Sequence, residues 1–149
     1  MDIKSFVLAA AVILVSGGGN ALADDGKKDF HQAVNLYENG MYERARSIFE
    51  SIDAKKGGDL EAKGWSVLCA VTMGTEGYQT LMDQYAKDYP TSALIPRIRY
   101  RHGMNLFEKE DYDGASKEFA GVPEETVASG DVAGFVFRKA YSDFALDRM

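Results

Sequence analysis

An aromatic pair returns along this chain at nearly constant spacing. Tyr42 and Phe49 are answered 36 residues later by Tyr78 and Tyr85, and 34 residues after that by Tyr112 and Phe119. In a sequence with 11% aromatic residues, two aromatic columns in register are an improbable accident. A period of this length marks stacked helical hairpins, none of which can bury its apolar face alone. Smaller side chains keep the same beat. Ala33, Cys69, Gly103 and Ala140 fall at intervals of 36, 34 and 37 residues, and Ala45, Leu81 and Ala115 form a second small column on the partner helices. Small residues belong where two helices approach closely, and aromatics belong in the seams between successive helices.

Helix signals place seven segments on this frame. Helices are expected over about 28–39, 42–53, 59–73, 78–88, 92–109, 112–121 and 132–146, from the apolar periodicity and the residues that start and stop it. Gly40 ends the first helix as a residue free to take positive φ. Asp59 caps the third through its carboxylate, Ser92 or its neighbours open the fifth, and Pro96 fits only the first turn of that helix. The polar stretch from Glu124 to Asp131 is expected to be a loop.

The first 23 residues read as a secretory signal. Lys4 gives a positive start, Phe6 to Val15 is apolar, and Gly17-Gly18-Gly19-Asn20 is expected to break the helix before the small residues Ala21-Leu22-Ala23. The run is too short to span a bilayer, so no membrane span is expected once the signal is removed. The exported chain then begins at Asp24, with a repeat domain over 24–149 in units of about 28–56, 59–90 and 92–122 and a half unit at 131–147. The signal holds one acid and one base, so removal leaves the net charge at −6. That balance argues against nucleic acid, which calls for a basic face. The single cysteine, Cys69, permits no internal disulfide and reads as packing rather than as a reactive thiol.

Gly40-x-Tyr42-x-x-Ala45-x-x-x-Phe49 and Asp111-Tyr112-x-x-Ala115-x-x-x-Phe119 resemble the tetratricopeptide repeat, with a degenerate middle unit that carries Leu81 for alanine. The stretch from Tyr89 to Phe119 is also similar to repeats of the exported Tol–Pal coordinator and barrel-assembly lipoproteins of Gram-negative envelopes. The resemblance implies an all-α, right-handed α-solenoid of about three and a half helical hairpins. It also implies a non-catalytic protein- or peptide-binding scaffold or adaptor, in the periplasm. In such repeats the first helix of each hairpin lines a concave groove. That places Phe30, Val34 and Tyr37 on the candidate binding face, then Ser66, Ala70 and Met73, then Arg97, Tyr100, Arg101, Met104 and Phe107, and finally Phe137, Tyr141 and Phe144. Such a stripe suits an apolar peptide or amphipathic helix, and Arg97 and Arg101, one helical turn apart, suit a carboxylate at its edge. The plain alternative is that the aromatics bury one another and the arginines are solvated.

Catalytic constellations are absent from the pattern, so no enzyme, cofactor or metal is expected. His31 and His102 occupy near-equivalent helix slots without Cys or acidic partners at ligand spacing. Ser66 after Gly64-Trp65 lacks the second glycine of a nucleophile elbow. The acidic run at Glu108, Glu110, Asp111 and Asp113 reads as solvated surface rather than a calcium loop. Trp65 reads as seam packing. The last helix is apolar on several sides, so either the array continues beyond Met149 or this helix docks on something, self-association included.

Overall fold

The computed structural model describes residues 18–147, with side chains from residue 25 onward. Within these residues the chain is all-α. The helices are α1 (Gly18–Glu38), α2 (Tyr42–Lys56), α3 (Leu60–Met73), α4 (Tyr78–Asp88), α5 (Ile95–Glu108), α6 (Tyr112–Ala120) and α7 (Val132–Asp147), with one 3-10 turn at Glu124–Thr126 and no strand among them. The signal residues before Gly18, and Arg148 and Met149, lie outside the described residues. Two expectations need correction. Helical backbone already runs from Gly18, ten residues before the expected start at 28, and Gly18, Gly19 and Asn20 lie within it; a break at Gly17 falls outside the described residues. Glycine inside a helix costs about 1 kcal/mol without forbidding it. The expected loop after Pro123 likewise holds a short 3-10 turn.

Consecutive helices pack in pairs, α1 on α2, α2 on α3, α3 on α4, α5 on α6 and α6 on α7, while α3 also packs on α5. One apolar cluster runs from α1 to the start of α5, and a second joins α5, α6 and α7. The central helix α3 is buried from Gly64 to Val71, because α2, α4 and α5 all lie against it.

Each first helix of a pair ends in the same backbone turn. Gly40 N–H donates to Tyr37 O at 3.0 Å and Met41 N–H to Leu36 O at 2.8 Å. Gly74 and Thr75 repeat this onto Val71 O and Ala70 O, and Glu110 and Asp111 repeat it onto Phe107 O and Leu106 O. The hinge residue takes φ 76° at Gly40, 62° at Gly74 and 63° at Glu110. A left-handed residue closing two orphan carbonyls is what this helix ending needs, and glycine adopts it without strain. Glu110 adopts it against the preference of an L residue. The middle turn is two residues longer, and a second left-handed glycine, Gly77, φ 75°, absorbs the extra length before Tyr78. The helix starts are fixed by side chains. Asp59 Oδ1 accepts from Ala62 N–H at 2.8 Å, and Asp111 Oδ1 accepts from Gly114 N–H at 2.9 Å. The Ala62 N–H, helped by Lys56, holds the Asp59 carboxyl below its ordinary range.

The aromatic columns are where the packing is tightest. Phe49 is fully buried between Phe30 of α1 and Trp65 of α3, with ring centroids at 5.3 and 5.6 Å. Phe119 is likewise buried between Gly103 of α5 and Phe135 of α7. Tyr85, buried too, lies against Gly64 of α3 and shares a hydrogen bond of 2.7 Å with Ser92. Two members of the small columns are misplaced by spacing alone. Leu81 is 41% exposed where Ala45 and Ala115 are fully buried, because leucine cannot sit where two helices nearly touch. In the middle pair that close approach has moved to Gly64 beneath Tyr85. Ala140 is exposed, and the small buried residue of α7 is Ser142, 39 residues after Gly103. Its seven-residue spacing from buried Phe135 matches that of Ala62 and Cys69 on α3, so α7 is shifted by two residues in the frame. The longer connection through Glu124–Thr126 is where that shift enters.

Candidate functional site

Three arginines on α5 and α7 anchor the candidate face. Arg97 lies with its guanidinium carbon 4.8 Å from the Trp65 ring centroid and 6.0 Å from that of Tyr37. Arg101 lies 5.6 Å from the ring of Tyr100, and Arg138 lies 5.9 Å from that of Phe107. The rings link the arginines into a row. Burial alone would pull the Arg101 pKa down, but Tyr37, Tyr100 and Tyr42 around it hold it above its ordinary value. Burial pushes the Tyr100 hydroxyl up, as does Asp131, whereas Arg101 and Arg138 both act to lower it. Tyr37 thus neighbours Arg97 and Arg101, and Tyr100 neighbours Arg101 and Arg138.

These guanidiniums have no carboxylate partner within 4.0 Å among the described residues. The ion pairs that do form lie elsewhere: Arg46 with Glu50, Lys55 with Asp29, Lys56 with Asp59 and Lys117 with Asp113. Arg138 spends one N–H on Gly134 O at 3.1 Å. A guanidinium stacked on a ring gains about 0.5–2 kcal/mol through its face, while its in-plane N–H groups stay available to an acceptor.

Aromatic side chains flank the row. Tyr37 meets Tyr42 and Trp65 edge-on, with centroids at 5.1 and 5.4 Å. On the other side Phe107, Tyr112 and Tyr141 form a mutual triangle at 5.4–5.7 Å, and Phe137 leans on Tyr141 at 6.0 Å. Not every residue placed on this face by sequence is accessible. Tyr37 and Tyr100 are buried and support the arginines, and Ser66 and Ala70 are covered within α3. Phe30, Val34 and Met73 are half-buried against the first core cluster, and Met104 and Phe107 against the second. Phe137 and Tyr141 stand out at 63% and 41% exposed. Arg97, Arg101 and Arg138 are half-buried.

Sequence reasoning missed Arg138 as the third cation, and it missed the polar ties between neighbouring helices. Asn105 Nδ2 donates to Val71 O of α3 at 2.7 Å, Tyr37 and Thr72 hydroxyls share a hydrogen bond at 3.0 Å, and the Tyr78 hydroxyl shares one with His102 Nδ1 at 2.9 Å. The 34-residue separation of Val71 and Asn105, one repeat apart, was the available signal for the first. Sequence also gave no sign of the broad depression along α1 lined by Lys27, His31, Asn35, Leu36 and Met41.

The reactive residue types occupy unlike surroundings. Burial pushes the Cys69 thiol up to about 12, and the side chain is fully enclosed. Burial lowers the His102 pKa, whereas His31 is exposed, so the two near-equivalent slots differ in environment. The described residues hold no grouping of three His, Cys, Asp or Glu side chains suited to a metal ion, and no helix long and apolar enough to cross a membrane. Comparison with protein-family models, with curated proteins and with solved structures at the usual significance gave no match.

Proposed function

We propose that this chain is a non-catalytic scaffold or adaptor that binds a protein or peptide, built as a right-handed solenoid of about three and a half tetratricopeptide-like hairpins and exported to the bacterial periplasm. The observation that carries the reading is the recurrence of one helix-ending turn at Gly40, Gly74 and Glu110, each followed by a tyrosine that opens the next helix. Repetition of a hairpin without repetition of any reactive group favours holding a partner over transforming a substrate. The arginines of α5 and α7, with half-buried Phe107 and exposed Phe137 and Tyr141, supply the mixed cationic and aromatic character on which interface anchors depend.

A photo-crosslinking residue in place of Met104, on the candidate face, tests this in the envelope against one in place of Lys87 on the exposed side of α4. A defined adduct from position 104 alone supports the reading. Equal adducts from both positions, or none from either, count against it. Export is checked separately: the amino terminus of the envelope protein should be Asp24.

A second reading has its own support in α7, where Val136 and Phe137 are 46% and 63% exposed. Under it, this helix docks on a second copy or another subunit. Light scattering that reports a monomer for the exported chain removes self-association.

A further inference from the structure

We propose that Arg97, Arg101 and Arg138 form the docking row for an acidic polypeptide segment, whose Asp or Glu side-chain carboxylates the guanidiniums receive. The inference rests on the protein-binding reading of this face and names the chemistry of its partner.

Three observations carry it. First, the chain bears 23 acidic against 17 basic residues, so an exposed cation has many carboxylates available to it. Arg46, Lys55, Lys56 and Lys117 take one. Among the described arginines that do not, Arg44 and Arg99 are exposed, whereas Arg97, Arg101 and Arg138 are half-buried, where a charge left without a partner is costlier. Second, their orientation is already set. Trp65, Tyr37, Tyr100 and Phe107 each carry a guanidinium against the ring, and Gly134 O fixes one edge of Arg138. Ordering a free arginine costs side-chain entropy, and stacking removes part of that cost before any partner arrives. Third, the row is long enough for more than one contact. Arg97 and Arg101 stand about 6 Å apart along the α5 axis, the rise of four residues, and Arg138 continues the row onto α7 through Tyr100. Consecutive acidic turns of a bound helix present carboxylates at the same interval.

The surroundings decide between anions. A long polyanion such as nucleic acid or an anionic polysaccharide would extend beyond the row over a protein surface of net charge −6 and be repelled there. A short acidic segment needs only the row itself. The aromatics beside it, Phe137 and Tyr141, offer apolar contact to the other face of an amphipathic helix. Asp131, near Tyr100, limits how many carboxylates the Arg138 end accepts.

The test uses the full chain and a fluorescein-labelled helical peptide of 14 residues carrying four Glu on one face and Leu on the other, with an amidated carboxyl end. Its control has Gln for every Glu. Titration should show at least tenfold tighter binding of the Glu peptide and a loss of that advantage at high salt. The Arg97→Gln, Arg101→Gln, Arg138→Gln triple variant should bind at least tenfold more weakly. A second triple variant, Lys55→Gln, Lys87→Gln, Lys109→Gln, reaches the same net charge of −9 (−6 − 3) away from the row and should bind as the unaltered chain does. If the arginine variant loses helical content, Arg→Lys replacements at the same positions keep the charge and should retain the salt-dependent preference. Equal binding of the Glu and Gln peptides, equal weakening by both triple variants, or displacement of the peptide by a heparin fragment at lower concentration than by free peptide would overturn the proposal. Should the adduct from position 104 survive in the arginine triple variant, the acidic partner is wrong and protein binding stands. Absence of that adduct from the unaltered chain removes both.

Discussion

Gly103 lies under the ring of Phe119, and this contact gives the repeat packing a measurable energy. A Cβ added at Gly103 would stand 2.6 Å from Cε1, 2.8 Å from Cδ1 and 3.2 Å from Cζ of Phe119. That ring cannot swing aside freely, because Phe135 of α7 stands against it with centroids 5.6 Å apart. Overpacking of this kind costs roughly 1–3 kcal/mol. Alanine also favours helix over glycine by about 1 kcal/mol. Gly103→Ala should therefore destabilise the chain by roughly 0–2 kcal/mol, the difference of the two effects. In a Phe119→Ala background every ring atom that the added Cβ would meet is gone, and Gly103→Ala should become stabilising by up to about 1 kcal/mol. The double-mutant cycle should thus return a coupling of about 1–3 kcal/mol, well above the scatter of non-interacting pairs. Urea unfolding followed by circular dichroism gives the four stabilities. A coupling under about 0.5 kcal/mol would refute close contact between α5 and α6 at this point.

Three further outcomes follow from individual residues. Replacing Glu110 by glycine removes a left-handed L residue and should stabilise the chain by up to about 1 kcal/mol in the same urea assay, whereas Gly40→Ala should destabilise it; an unchanged midpoint for both would contradict the turn geometry. Cys69, enclosed and with its thiol pushed up to about 12, should not react with an aromatic disulfide reagent at neutral pH until the chain opens, and fast native labelling would contradict its placement. Burial lowers the His102 pKa despite the opposing pull of Glu118, Asp83 and Asp111, with Lys109 acting to lower it further. Below the unfolded value of about 6.5 the unfolded chain takes up a proton that the native state resists, so stability present above that pH falls as pH drops towards the folded value. His102→Gln should remove this part of the acid slope below about pH 6.5, and identical slopes would exclude it.

The helices were legible because their signals are local. From α2 to α7 the expected starts and stops lie within three residues of the observed ones, since Gly40, Asp59, Pro90 and Pro96 act on their own turns. The aromatic columns were legible because large rings must be buried somewhere and recur in register. What escaped was fixed by partners distant in sequence. Leu81 occupies an alanine slot by count, yet its size turns it outward, and the close contact passes to Gly64 and Tyr85. Ser142 replaces Ala140 in the small column because the connection before α7 shifts the frame. Tyr37 and Tyr100 have the composition of a binding stripe and are instead the supports of Arg97, Arg101 and Arg138. Which guanidiniums lack a carboxylate depends on every neighbouring helix, and no local pattern encodes it.

Stacking of the first pair on the second, and of the third on α7, requires the rings of Phe49 and Phe119 to touch the first helix of their own pair and the next helix in line. Nuclear Overhauser contacts from the Phe49 ring to Phe30 and to Trp65, and from the Phe119 ring to Gly103 and to Phe135, measure this most directly. Stacked pairs give both sets at each ring. Contacts to the ring's own pair alone, with none reaching Trp65 or Phe135, would contradict the stacking on which the repeat reading rests.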